Sequence, residues 1–336
     1  MGEREGGKKC LVVGAGALGL LLAKALMASR LSSELNEVAL FNKSPVSGRF
    51  VFVDSTGHEL NFSLPLYSNS VRECFESFQP ASLFFCVPPE AIEQVFASWM
   101  DAFEAQSAPP SPIEVVFCNN GCLPPRVLQR ILSLTHRVHC VRALFFVGAM
   151  RSVQTEGLRV HWTGGHSVLW GRIPSGTDSL REPRWLAKGE STEERPLDFL
   201  RWHREKDILS VERRKFFTNF MLAAGLGPRL AKNKTLPEHL PEAMLSRQAE
   251  QFAVLWQSFN LSSEALKETL HMTLKATGEN INSLSLAGAR GNTATMLWFV
   301  ESLRSEIAAS SEKENLISLS GFLDSVQSVW GKNHEH

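Results

Sequence analysis

The sequence predicts an α/β chain in two parts, an N-terminal parallel-sheet domain followed by an all-helical domain. Three observations carry this. An apolar run, a glycine-rich turn and a second apolar run open the chain at Lys9–Leu26. Short β-type runs then alternate with helical patterns as far as residue 172. From residue 208 onward the apolar residues recur at three- and four-residue steps, the period of packed helices.

The opening stretch reads as strand, turn and helix. Gly14, Gly16 and Gly19 bracket Ala15, Ala17 and Leu18 with the G-x-G-x-x-G spacing of a dinucleotide site. The first glycine permits the tight turn, the second lets a pyrophosphate approach the backbone, and the third brings helix and strand together. The N–H groups at the helix start are then oriented toward phosphate. These features predict a Rossmann-type domain.

Glu37–Phe41 follows as a second strand and ends in Asn42-Lys43-Ser44. An acid at this strand end would hold the ribose hydroxyls of NAD, whereas a polar or basic group accommodates the 2′-phosphate of NADP. Asn42 and Lys43, with Arg49 nearby, therefore predict NADP(H). Phe50–Asp54, a Ser-Thr-Gly turn and Glu59–Phe62 predict a hairpin. Ala81–Val87 is a buried strand stopped by Pro88-Pro89, Ala91–Trp99 a helix, and Ile113–Phe117 a strand delivering Cys118-Asn119-Asn120-Gly121 to its carboxyl end. Val138–Val147, Val160–Thr163 and Val168–Gly171 add strands. The polar composition of 173–207 predicts a surface insertion. Helices follow at Val211–Leu226, Pro241–Phe259, Ser263–Thr277 and Ala294–Ala309. The expected domains are thus 1–172, a 173–207 linker and 208–330.

Composition narrows the partners. The 336 residues carry 35 basic and 35 acidic side chains, so no global field recruits nucleic acid or an anionic membrane. Any anion recognition must be local, and a small molecule is the expected partner. Residues 1–9 lack the apolar region of a secretory signal, and Lys24 interrupts the longest apolar stretch, so a cytoplasmic location is expected. All 6 cysteines lie in the first half, mostly in apolar runs, and read as reduced core thiols. Cys118 and Cys122 have no matching Cys/His pair at finger-like spacing, and no metal is expected.

Several short motifs occur in an order that resembles the ketopantoate reductase family over most of the chain. They are the Gly14–Gly19 turn, Asn120-Gly121, Val160–Gly165, Lys215-x-x-x-Asn219, and Thr277-Gly-Glu-Asn-Ile-Asn-Ser283. The resemblance implies a Rossmann domain, a helical domain and a site in the cleft. It also implies NADPH-dependent reduction of the 2-oxo acid 2-dehydropantoate in pantothenate biosynthesis. Lys215 and Asn219, four residues apart, share a helix face. An ammonium there suits carbonyl reduction, because it can stabilise charge on the oxygen and supply its proton. The resemblance makes Lys215 the general acid, Asn120 and Asn219 positioning groups, with Asn120 also beside the nicotinamide, and Ser283 a partner of the substrate carboxylate. The helical domain leaves room for a homodimer.

Three positions depart from the family pattern. Ala223 replaces a second asparagine on the lysine helix, Asn292–Leu297 lacks the family's glutamate, and Pro88-Pro89 replaces a lysine after the third strand. These departures open two alternatives. One is a non-catalytic NADP-binding regulatory or interaction protein. The other is a reductase of a bulkier oxo acid, with Met296 or Trp298 filling the space of the missing carboxylate.

Overall fold

The computed structural model describes residues 9–28, 30–31, 34–35, 37–44, 48–68, 70–106, 112–134, 137–154, 157–173, 185 and 199–332. Two compact units emerge. Unit 1 comprises Met1–Asn119 and Pro125–Ile208, and unit 2 comprises Asn120–Pro124 and Leu209–His336.

Unit 1 runs through β1 (Lys9–Val13), α1 (Ala17–Ala28), a ribbon of β2 (Arg30–Leu31) and β3 (Glu34–Leu35), then β4 (Glu37–Phe41). Next come β5 (Arg49–Val53), β6 (Glu59–Ser63), β7 (Leu66–Tyr67), α2 (Val71–Ser77), β8 (Ser82–Phe85), α3 (Ile92–Glu104) and β9 (Ile113–Phe117). It closes with α4 (Pro125–Ser133), β10 (Val138–Gln154), β11 (Gly157–Arg172) and β12 (Arg201–Arg204). The strands β4, β1, β8, β9 and β10 lie side by side in parallel, the doubly wound core expected of the motif. The chain reverses direction across the sheet between β1 and β8, the place where open parallel sheets bind ligands.

Beyond β10 the sheet changes character. β11 pairs antiparallel with β10, β5 joins β11 in parallel, and β6 pairs antiparallel with β5. The separate strands expected at 138–147, 160–163 and 168–171 are thus parts of one long hairpin. Its pairing slips at Gly148, where a bulge bends it. The result is a mixed half-barrel. α1 is buried on most of its surface, including Leu20, Leu21, Leu22, Ala23, Ala25 and Leu26. It shares one core with Val141, Ala143, Phe145, Leu158 and Val160 of the hairpin, against which Val147, Ala149 and Trp162 pack. A helix apolar on nearly every side requires cover on nearly every side, and the hairpin supplies it.

The polar span 173–207 is not all surface. Residues 174–184 and 186–198 lie outside the described residues, as do 1–8 of the N-terminal stretch. Of the remainder, Trp185 and Leu200 are buried in the core of unit 1, and Trp185 meets Trp202 at 4.5 Å and Phe84 at 5.2 Å. β12 adds a parallel strand to β11. Scattered aromatic residues in a charged sequence hid this, since no periodicity surrounds them.

Unit 2 is helical: α5 (Ile208–Leu226), α6 (Leu236–His239), α7 (Glu242–Leu255), α8 (Ser263–Thr277), α9 (Ser283–Ala289), α10 (Ala294–Ala309) and α11 (Ile317–Gly331). α8 and α10 have the expected bounds. α7 ends before Phe259, because Gln257–Phe259 tightens into a 3₁₀ turn and Asn260 takes a left-handed conformation at φ 52°. Phe217, Phe220, Phe252, Trp256, Leu270, Phe299 and Leu323 anchor the core of unit 2. No helix among the described residues is long and apolar enough to cross a membrane.

Candidate functional site

The glycine turn is built as its spacing requires. Gly14 follows β1 with φ 108°, a conformation that favours glycine. Its N–H donates to Phe41 O at 2.8 Å, tying the turn to β4. A Cβ on Gly19 would lie 1.9 Å from Gly14 O, so only glycine lets α1 pack against the turn. Gly16 differs. A Cβ there would meet nothing closer than Cys86 O at 4.0 Å, and its φ is not left-handed. The protein's own packing does not require glycine at 16; an approaching diphosphate does. The turn therefore fits a dinucleotide, at the reversal point beside the carboxyl end of β8.

Leu20 N–H donates to Gly16 O at 3.0 Å, so Gly16 begins the first turn of α1, which Ala17 and Leu18 open. Ala15 is held at both ends. Its N–H donates to Asn42 Oδ1 at 3.2 Å, and its carbonyl accepts from Arg151 Nη1 at 2.9 Å. The Asn42 amide donates in turn to Ser44 O at 2.6 Å. A carboxylate at 42 would have no proton for that carbonyl, so the absent acid has a structural cause of its own. Lys43, beside Asn42, is exposed.

All six cysteines are buried and unpaired by disulfides. Burial pushes the Cys74 thiol up to about 12 and raises that of Cys86, the latter helped by its hydrogen bond with Cys118. They remain neutral thiols at physiological pH. Cys118 belongs to the core of unit 1 and Cys122 to that of unit 2.

At the carboxyl end of β9, Arg142 is fully buried and donates to Phe117 O and Asn119 O, both at 2.7 Å. It fixes the strand end that leads into exposed Asn120. The left-handed residue of that turn is Gly121, at φ 84°, which frees Asn120 from the conformational role a turn asparagine often has.

In unit 2, Lys215 and Asn219 are half-buried on α5. The neighbouring Arg213 is not part of a solvated charged face. It pairs with Glu306 at 3.0 Å, lies over the rings of Trp256 and Phe259, and is 7% exposed. Burial disfavours its charge, but Cys122, Glu306 and Glu212 outweigh that effect and raise its pKa. Ala223 is completely buried in the apolar core, and Met296 is 1% exposed in the same core, so Met296 packs the helices and does not fill a substrate space. Ala294, at the start of α10, is exposed.

Asn233 is buried and donates to Thr277 O and Thr277 Oγ1, both at 3.1 Å. Its Oδ1 accepts no hydrogen bond among the described residues. Backbone pairs from Asn233 N to Asn280 O and from Lys234 N to Gly278 O lock the Thr277–Ser283 motif in place. Asn282 caps α9 by accepting from Leu284 N at 2.9 Å and Ser285 N at 3.3 Å, leaving Ser283 exposed as its first residue. A lone arginine in an apolar strand run was the available sign of Arg142; Asn233 had none.

No protein-family profile and no curated protein matches the sequence. Solved structures do. A PanE/ApbA family ketopantoate reductase from Ralstonia eutropha aligns with TM-score 0.67 at 12% identity, over 97% of this chain and 100% of that one. A dimeric ketopantoate reductase from Staphylococcus aureus aligns with TM-score 0.60 at 11% identity, over 97% and 99%. A 2-dehydropantoate 2-reductase from Methylococcus capsulatus aligns with TM-score 0.55 at 14% identity, over 96% and 95%. Across nearly its whole length, therefore, the chain has the fold of the ketopantoate reductases.

Proposed function

We propose that the protein is an NADPH-dependent reductase of a small 2-oxo acid, with ketopantoate as the first substrate to test. The observation that carries this is Gly16: the turn keeps glycine where only an incoming diphosphate asks for it. The ketopantoate reductase fold and the Lys215/Asn219 pair on α5 support the rest. Bound there, NADPH would supply a hydride to the substrate's carbonyl carbon. The turn's N–H groups would hold its diphosphate, and Lys43 would meet its 2′-phosphate. As the C=O bond becomes C–O⁻, the Lys215 ammonium stabilises the oxyanion and donates its proton, yielding the hydroxy acid. Asn120 and Asn219 orient the carbonyl, and Ser283 binds the carboxylate.

NADPH oxidation with a panel of 2-oxo acids, wild type beside Lys215→Ala, tests the assignment. Loss of the proton donor should lower turnover by about 10²–10⁴-fold with cofactor affinity unchanged. Tight NADPH binding without turnover on any oxo acid would instead leave a non-catalytic NADP-binding protein. The apolar burial of Ala223 and the absence of a carboxylate at 292–297 favour that second reading.

A further inference from the structure

The glycine turn contains no cationic side chain; its residues are Gly-Ala-Gly-Ala-Leu-Gly. One of its N–H groups, that of Ala15, is already spent on Asn42. A diphosphate bound there brings negative charge to a site whose own donors are neutral. The missing charge comes from far along the chain. On β10 the residues Val141, Ala143, Phe145, Val147 and Ala149 alternate onto the inner face of the half-barrel, where they pack with α1. Arg151 continues that row by one more step, and its side chain reaches Ala15 O at 2.9 Å. Val160, its cross-strand neighbour, is completely buried and holds the strand in place. Arg151 itself is exposed, and Ala15 O is its hydrogen-bond partner among the described residues. A guanidinium has five N–H donors in a flat fork, so one can remain on Ala15 O while others engage phosphate oxygens.

We infer that Arg151 is a cofactor-binding residue that pairs with the diphosphate of the dinucleotide from the hairpin side of the glycine turn. This rests on the dinucleotide reading of that turn. The hairpin that covers α1 thereby also completes the anion site, with the turn's N–H groups on one side and a guanidinium on the other.

Calorimetric titration of the full chain with NADPH, ADP-ribose and 2′-AMP tests the assignment in wild type, Arg151→Gln and Arg151→Lys. Gln can keep the hydrogen bond to Ala15 O but not the charge. Arg151→Gln should weaken NADPH and ADP-ribose by about tenfold to a hundredfold, the value of a charge-assisted contact, and leave 2′-AMP, which has no diphosphate, within about twofold. Lys should restore part of the loss, and added salt should weaken wild type more steeply than Arg151→Gln. Unchanged NADPH affinity in Arg151→Gln, or tighter binding, would overturn the assignment while the dinucleotide reading stands. An equal loss for all three ligands would also overturn it, showing a staple for the turn and no phosphate contact. Wild type that binds neither NADPH nor ADP-ribose would remove the dinucleotide reading and this inference together.

Discussion

Gly16 and Gly19 are two glycines of one motif with different physical reasons, and substitution separates them. Gly19→Ala puts a methyl group against Gly14 O, a backbone atom that cannot step aside, so α1 and β1 must part. Overpacking of this kind costs about 1–3 kcal/mol, which urea unfolding would read as a lower midpoint. Gly16→Val meets no such neighbour and should fold like wild type, yet lose NADPH binding in calorimetry; normal binding would reduce the turn to a structural connection. The proposed NADP preference rests on Lys43, because Asn42 is occupied with Ala15 N–H and Ser44 O. Lys43→Ala should lower NADPH affinity by about tenfold to a hundredfold and leave NADH unaffected. Equal loss for both cofactors would move the 2′-phosphate contact elsewhere. The spacing of the glycines and the identity of Lys43 were legible in the sequence; the hydrogen bonds that redefine Asn42 were not, because they join residues 27 positions apart.

α5 shows how one helix serves two ends. The arginine two positions before Lys215 is sealed into the core by Glu306 of α10 and by Trp256, whose Nε1 donates to Glu306 Oε2 at 2.8 Å. Glu306→Ala would leave a buried guanidinium and an indole N–H without their acceptor. A loss of about 3–5 kcal/mol in unfolding free energy is expected, measured by denaturant titration. A change below about 1 kcal/mol would show that Arg213 finds water or another partner. The helix itself was readable from its apolar period, whereas the run Arg213-Arg214-Lys215 reads as a solvated face until α10 is placed beside it. α11 is the opposite case. Leu319, Leu323, Val326 and Trp330 recur at helical steps and are all buried, so the sequence itself carries the signal for this helix.

Each unit has its own core, and the glycine turn proposed to bind the dinucleotide lies in unit 1. NADPH at about a hundredfold its dissociation constant should stabilise the state that binds it by about 2.7 kcal/mol. Hydrogen exchange should register this as slower exchange at the amides of β1, α1 and β8; unchanged rates there would refute the assignment. Local chemistry was enough to determine much of this. Glycine spacing dictates a turn, alternation and apolar runs dictate strands, and a 3.6-residue period dictates helices, because each acts between near neighbours in the chain. The bend of the long hairpin over α1, the burial of Trp185 within a polar span and the Arg142 brace were decided only by tertiary structure. So was the meeting of Arg151 with Ala15, 136 residues apart. These depend on which distant surfaces pack together, and no period or spacing in the sequence records that pairing.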